Sequence, residues 1–294
     1  MDSTPIQYSV TQKIRSAHWE SRKDNPSSAL IQILPEGVRI LLSDSQKSME
    51  LALDEIQFTS TLTEQQKVEQ FSRFVPSGLL AESAVTSVTI AVEPRFFSLL
   101  PVELFSIEAA ENCLRLLSDV PFEFTVFHEM IGNETVLFYA VPNEWMNWAS
   151  QLFSASEVYW TCGISGLIRQ ALHMTPSGEK AVYAHVDTRS FIGIGVDDGK
   201  LIFANCYPFK AENDLLYFLL LIMEETGLMP ESAPVYLSGS ILSGSSGFEK
   251  INRYFGNLRF VKNPVLPNEF PSQETLQHPY YYDLTTLRQT LIPS

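Results

Sequence analysis

The sequence is poor in cysteine, in basic residues and in long apolar runs, and each shortage excludes a class of protein. Its three cysteines, Cys113, Cys162 and Cys206, have no paired spacing, so we expect reduced, packed thiols in a cytoplasmic protein instead of a disulfide framework. The longest apolar run, residues 215–223, is far shorter than the ~20 residues that cross a bilayer, so no membrane insertion is expected. The first ten residues also lack the basic and apolar regions of a signal peptide.

Basic residues are outnumbered by acidic ones. The chain has 20 lysines and arginines against 34 aspartates and glutamates, a formal net charge of −14. An acidic surface repels phosphate groups, so nucleic-acid binding is not expected. Hydrophobic residues make up 45% of the chain and charged residues 18%, which is typical of a well-packed globular protein. A chain of 294 residues is long enough for two lobes that each bury a core.

Turn signals and changes in composition divide the chain into four segments. Residues 1–27 are a polar lead-in, residues 28–174 a first lobe and residues 175–262 a second lobe that begins in linker-like sequence. Residues 263–294 form a proline-rich tail, and we expect an aromatic cluster in it to anchor the tail on a lobe. The members of this cluster are Tyr280, Tyr281 and Tyr282.

Both lobes are predicted to begin with three antiparallel strands, followed by a helix, a strand, a helix and a strand. In the first lobe, two strands flank Pro35-Glu36-Gly37, where the glycine is expected to supply the positive φ of a tight turn. The three strands of the second lobe are predicted at residues 181–187, 190–196 and 200–206. Asp198-Gly199 predicts a hairpin between the last two. The first lobe carries extra elements, including a helix predicted to begin at Pro101.

Several stretches resemble the actin-like ATPase superfamily. The stretch Val186-Asp187-Thr188-Arg189-Ser190, followed by Gly195-Val196-Asp197-Asp198-Gly199-Lys200-Leu201, is similar to the second lobe of its pilus-assembly and cell-division members. The stretch Pro234-Val235-Tyr236-Leu237-Ser238-Gly239-Ser240 resembles the strand and glycine loop that hold the adenosine side in that superfamily. The whole chain, including Leu99-Leu100-Pro101 and Leu104-Phe105, is similar to a bacterial family of unknown function assigned to the same superfamily.

The resemblance implies an α/β fold of two ribonuclease-H-like lobes, each with a mixed five-stranded sheet and helices. It also implies two phosphate loops, one in each lobe, built from small residues and an acid near Mg²⁺ or the attacking water. The first-lobe hairpin does not fit this pattern, because Pro35 removes an N–H donor and Glu36 adds repulsion. We therefore predict that the first phosphate loop is lost.

In the second lobe, Asp187 occupies the position of the superfamily's acid, and Arg189 occupies a position that usually carries glycine. We favour Asp187 as a turn-stabilising residue over a metal ligand, and Arg189 as a surface turn residue over a phosphate contact. The loop that begins at Ser238 and ends at Gly247 either holds an anion ahead of a helix or is a serine-capped turn. Its glycine spacing lacks the lysine of a P-loop. If a nucleotide binds, the expected contacts are Asp187, Thr188, Arg189, Ser190, Gly239, Ser240 and Gly244.

These features predict a cytoplasmic, non-catalytic protein with degenerate phosphate loops, a pseudo-ATPase that binds another protein as an assembly scaffold and needs no cofactor. The alternative is an ATP-binding protein or weak ATPase that uses Mg²⁺, Asp187 and the loop of residues 238–247. A small-molecule kinase ranks below both, because the sequence offers no convincing general base. The five histidines are scattered, so we predict neither a metal site nor a catalytic residue.

Overall fold

The computed structural model describes residues 5–44, 49–93, 95–263 and 278–291. The described residues divide into two units, one that ends at Gly163 and one that begins at Ile164. The lobe boundary that the sequence predicts, after residue 174, lies at the end of a helix (Gly163–Met174) that falls almost entirely within the second unit.

The first unit combines strands with short and medium helices. Its strands are β1 (Tyr8–Arg15), β2 (Ser27–Leu34), β3 (Gly37–Asp44), β4 (Met49–Phe58), β5 (Val85–Val92), β6 (Phe97–Pro101), β7 (Phe124–Ile131), β8 (Thr135–Pro142) and β9 (Glu157–Cys162). Its helices are α1 (Trp19–Arg22), α2 (Glu64–Phe74), α3 (Leu79–Glu82), α4 (Ile107–Ser118) and α5 (Asn143–Leu152), followed at the division by α6 (Gly163–Met174).

The main sheet of the first unit has the strand order β1-β4-β3-β2-β5-β9. Strands β2, β3 and β4 form the predicted antiparallel meander, while β5 lies parallel to β2 and β9 lies parallel to β5. The sheet has six strands because β1, from the predicted lead-in, pairs antiparallel with the outer edge of β4. The mixed sheet expected for an actin-like lobe is therefore present, with one strand added.

Helices α2 and α5 share an aromatic cluster in the first unit. The Phe71 ring lies 5.8 Å from Trp145 and 5.1 Å from Trp148, measured between ring centroids. The buried Trp145 indole donates its Nε1 hydrogen to Glu64 Oε2 at 2.9 Å, so its polar edge is satisfied.

A second, three-stranded sheet with the order β6-β8-β7 forms the predicted extra part of the first unit. Helix α4 packs on it through Ala110 and Leu114, which lie against Phe138. The predicted helix start at Pro101 is wrong, because residues 97–101 pair with β8 as a strand. The helix begins at Ile107, where the Ser106 hydroxyl accepts a hydrogen bond from the Ala109 N–H at 3.1 Å.

The second unit repeats the order of the first without the inserted sheet. Its elements are β10 (Lys180–Val186), β11 (Ser190–Asp197), β12 (Lys200–Pro208), α7 (Glu212–Thr226), β13 (Val235–Gly239), α8 (Ser246–Asn252), β14 (Leu258–Phe260) and α9 (Tyr282–Thr290). The strand order is β12-β11-β10-β13-β14, with an antiparallel meander and parallel pairing of β10 with β13 and of β13 with β14. This is the five-stranded mixed sheet that the sequence predicts.

Two local signals in the second unit are confirmed. Asp198 and Gly199 have φ angles of +52° and +73° and join β11 to β12, as the Asp-Gly pair predicts. Glycine is also the residue expected to end the helix after β12 in the left-handed conformation, and Gly227, with φ of +64°, ends α7. That helix covers one sheet face, with Leu219 and Ile222 in a core that includes the buried Phe191.

The described part of the tail packs within the second unit. Tyr281 and Tyr282 are buried, and the Tyr282 hydroxyl contacts Met174 Sδ at 3.4 Å. The sequence predicts a short helix near residues 284–291, and helix α9 lies there. The earlier, proline-rich part of the predicted tail, residues 264–277, lies outside the described residues. No helix in the described part of the chain combines the length and hydrophobicity needed to span a bilayer.

Candidate functional site

The candidate site in the second unit begins with the hairpin between β10 and β11. The Asp187 N–H donates to the Ser190 carbonyl at 2.8 Å and closes the turn. One carboxylate oxygen of Asp187 accepts from the Thr188 N–H at 2.7 Å and from the Thr188 hydroxyl at 3.3 Å. This oxygen of the carboxylate is therefore engaged by the next residue of its own turn. Thr188 and Arg189 are exposed, and the Arg189 carbonyl accepts from the Phe209 N–H at 3.0 Å.

The end of β13 lies beside this hairpin, because β10 and β13 are parallel neighbours and Val186 pairs with Gly239. Gly239 has φ of +90°, and a Cβ at this position would lie 2.0 Å from the Val186 carbonyl oxygen. The next residue, Ser240, donates its N–H to the same oxygen at 2.6 Å. The fold thus groups Asp187, Gly239 and Ser240 at the carboxyl ends of two parallel strands, where α/β sheets commonly bind ligands.

The remainder of the loop is a serine-capped turn. The Ser245 hydroxyl accepts from the Phe248 N–H at 3.3 Å and donates to the Leu242 carbonyl at 2.8 Å, so it caps α8. Gly244, immediately before it, has φ of +82°, and a Cβ at this position would meet open space. A serine cap is therefore present at the start of α8.

The first-unit hairpin is a two-residue turn. Leu34 pairs with Gly37, which leaves only Pro35 and Glu36 between the strands. The Glu36 carbonyl accepts from the Phe58 N–H at 2.7 Å, so the turn is tied to the end of β4. Gly37 does not have the positive φ that we expected. It is needed instead for close packing, because a Cβ at this position would lie 2.2 Å from the carbonyl oxygen of a β4 residue.

A buried polar cluster in the second unit escaped the sequence reasoning. The His185 Nδ1 atom lies 2.9 Å from Ser238 Oγ, and His185 Nε2 lies 3.9 Å from Asp283 Oδ2 on α9. Parallel pairing of His185 with Ser238 brings these two side chains together. Ser238 is only 2% exposed, so its hydroxyl is closed to a substrate and the cluster instead joins β10, β13 and α9.

Buried tyrosines lie on the same side of the second-unit sheet. Tyr183 stacks on Tyr236 with ring centroids 4.9 Å apart, and its hydroxyl lies 3.0 Å from Thr175 Oγ1. Burial raises the pKa of Tyr183 from 10 to about 12. Burial also raises the pKa of Tyr282 on α9. Both shifts oppose ionisation, because a phenolate loses its hydration inside the unit.

Alkaline pH is expected to unfold the second unit in part through Tyr183. The folded state holds the Tyr183 proton up to a pKa of about 12, whereas the ordinary pKa is 10. Its contribution is therefore fully present below pH 10 and is lost as the pH rises through 12. Urea unfolding at a series of pH values measures this loss. Tyr183→Phe should show a shallower decline than wild type above pH 10, with the exposed Tyr254→Phe as control. Equal declines in wild type and Tyr183→Phe would contradict the assignment.

The shared meander and the helix–strand alternation in both units define an actin-like ATPase fold. The chain belongs to the family described as protein of unknown function (DUF3822), which matches residues 18–258. Among curated proteins, nothing matches the chain.

Two solved structures illustrate the fold. A Bacteroides thetaiotaomicron protein with actin-like ATPase fold and unknown function is 14% identical, with a TM-score of 0.75 over 92% of this chain and 98% of its own. A chain of the PilM–PilN type IV pilus biogenesis complex is also 14% identical, with a TM-score of 0.63 over 90% and 99%. At this identity the likeness establishes the fold alone.

Proposed function

We propose that this protein is a non-catalytic scaffold of the cytoplasm that uses an actin-like fold to bind another protein. The observation that carries the proposal is the first-unit hairpin. With only Pro35 and Glu36 in the turn, and the Glu36 carbonyl bonded to Phe58, the hairpin lacks the row of free N–H groups that cradles a phosphate. The Glu36 side chain adds negative charge at the same place. Hydrolysis that depends on two phosphate loops is therefore not expected.

The second-unit hairpin supports the same conclusion. One oxygen of the Asp187 carboxylate, Oδ1, already accepts hydrogen bonds from the N–H and the hydroxyl of Thr188. Arg189 places a Cβ and a long side chain where a glycine would let phosphate approach the backbone. We propose that this turn serves only to connect β10 to β11.

Binding to another protein is favoured by one of the two similar structures. That structure is a complex of PilM with PilN in type IV pilus biogenesis. The acidic charge of this chain, −14, favours a partner with a basic surface over nucleic acid. We propose an assembly role of that general kind, with a different and unidentified partner.

The second candidate function is ATP binding in the presence of Mg²⁺. One observation favours it: the turn of Asp187, Thr188, Arg189 and Ser190 lies beside Gly239 and Ser240 at the carboxyl ends of β10 and β13. Among the described residues, no group of three or more histidine, cysteine, aspartate and glutamate side chains is arranged to hold a metal ion. Any Mg²⁺ would then depend on the nucleotide phosphates for most of its ligands.

A thermal-shift measurement with Mg²⁺-ATP separates the two functions. We expect an unchanged melting temperature at millimolar nucleotide, because neither hairpin offers a phosphate loop. A bound nucleotide at 100 times its Kd would stabilise the fold by about 2.7 kcal/mol, which is readily seen. An increase that Asp187→Ala abolishes would establish the ATP-binding function. Mg²⁺ alone and ADP serve as controls for effects of the ion and the adenine.

A further inference from the structure

The end of α4 and the turn that joins it to β7 expose three large apolar side chains. Leu116, Leu117 and Phe122 are 85%, 67% and 92% exposed. Single exposed apolar side chains are ordinary, but here three large ones occur within seven residues of the chain. We call Leu116, Leu117 and Phe122 the α4–β7 surface. Packing of the inserted sheet does not require it, since the core of that sheet uses Ala110 and Leu114 from the same helix.

Arg115 holds this turn in a defined shape. Its guanidinium donates to the carbonyls of Val120 and Pro121, each at 3.3 Å, and to the Phe124 carbonyl at 3.2 Å. It also makes two hydrogen bonds to Glu111, at 3.1 and 3.2 Å. The guanidinium carbon lies 5.9 Å from the centre of the Phe122 ring. These bonds fix the backbone on both sides of an exposed aromatic side chain.

The charge around the surface is acidic. Residues 95–142, which form the inserted sheet and α4, contain seven acidic and two basic residues, so their net charge is 2 − 7 = −5. Exposed acids adjoin the apolar side chains in sequence at Asp119 and Glu123. The two basic residues are already engaged, Arg115 as described and Arg95 over the ring of Phe96 at 5.0 Å. The surface therefore presents apolar groups with an acidic rim.

We propose that the α4–β7 surface binds a lysine- and arginine-bearing amphipathic segment of another protein. The inference rests on the proposed scaffold function and names the chemistry of its partner. The apolar side of such a segment covers Leu116 and Phe122, and its cations face Asp119 and Glu123. Because Arg115 already orders the turn, little conformational entropy is lost on binding, and an exposed aromatic anchor is the kind of residue that dominates interface energy.

The test uses the full chain and a defined probe, a fluorescein-labelled synthetic helix of leucine and lysine with leucines at helical spacing. We expect saturable binding that weakens as salt is raised, because the acidic rim contributes to it. Leu116→Ser/Phe122→Ser should weaken binding about tenfold or more, the loss expected for an interface anchor. Asp119→Asn/Glu123→Lys should weaken binding and flatten its salt dependence. A matched helix with glutamate in place of lysine should not bind.

Control variants distinguish binding at the α4–β7 surface from a general electrostatic attraction of the lysine-bearing helix to an acidic protein. Met229→Ser/Leu242→Ser removes two other exposed apolar side chains, which are 63% and 52% exposed, and should leave the affinity unchanged. Equal affinities for wild type and Leu116→Ser/Phe122→Ser would overturn the proposal. So would a dimer, seen by sedimentation, that this double variant dissolves, because the occupant would then be a second copy. The titration with the labelled helix contains no Mg²⁺-ATP, so the result of the titration does not depend on whether the protein binds a nucleotide.

Discussion

Gly239→Ala is expected to lower the free energy of unfolding by about 4 kcal/mol, among the largest effects of any single methyl group in this chain. The added Cβ would lie 2.0 Å from the Val186 carbonyl oxygen, a distance that only a backbone shift can relieve. That oxygen also accepts the Ser240 N–H, so the shift would disturb the junction of β10 and β13. Chemical denaturation of the purified variant measures the loss.

Gly244→Ala is the matched control for this prediction. Gly244 has a similar φ, +82° against +90°, but its Cβ would meet open space. The cost of a positive φ alone is about 1–2 kcal/mol, so Gly244→Ala should be much the milder change. Equal losses in the two variants would show that backbone strain, and not contact with Val186, explains the glycine. A larger loss for Gly239→Ala than for Gly244→Ala would mean that strand packing requires Gly239, whether or not a nucleotide binds beside it.

Arg15→Met is expected to destabilise the first unit by about 3 kcal/mol, because it leaves a buried carboxylate without its cation. Arg15 on β1 donates to Asp54 Oδ1 on β4 at 2.6 Å, and the Asp54 side chain is fully buried. The other oxygen of Asp54 accepts the Leu79 N–H at 3.0 Å. Methionine keeps much of the apolar stem of Arg15 and removes the guanidinium, whose central carbon lies 5.2 Å from the centre of the Trp19 ring. Urea unfolding gives the change in free energy.

The double variant Arg15→Met/Asp54→Asn separates charge from packing. Asparagine retains an oxygen for the Leu79 N–H but carries no charge, so the double variant should recover most of the loss. If both variants are equally destabilised, the contribution of Arg15 lies in packing alone. Recovery would establish that the N-terminal strand is fixed to the sheet by a buried ion pair.

The structural features that could be predicted best from the sequence are those that depend on residues close together in the chain. The Asp198-Gly199 hairpin and the Gly227 helix end were predictable because glycine and aspartate tolerate the left-handed conformation that these turns require. The order of strands and helices in both units followed from periodicity and turn signals in the same way. Local chemistry alone was enough for these features.

Features that depend on pairing between distant segments were less predictable. Pro101 has the local character of a helix start, yet pairing with β8 makes residues 97–101 a strand. The His185–Ser238 contact depends on the register of two parallel strands, and its link to Asp283 depends on where α9 packs. The local sequence predicts a positive φ at Gly37, but the glycine is required by its contact with a carbonyl of β4. None of these long-range contacts has a signature in the nearby sequence.

For the candidate site, the residue types were predictable and their geometry was not. Pro35 and Arg189 are visible in the sequence, and they are the basis for predicting degenerate phosphate loops. The bond between the Asp187 carboxylate and Thr188, and the bond between the Glu36 carbonyl and Phe58, depend on how the backbone folds around each turn.

Isothermal titration calorimetry of the full chain with Mg²⁺-ATP tests the non-catalytic function most directly. We predict no saturable heat corresponding to a Kd tighter than about 1 mM, a binding free energy of about −4 kcal/mol. Binding of one ATP per chain at micromolar Kd, weakened at least about tenfold by Asp187→Ala, would contradict the proposal and establish a working nucleotide site.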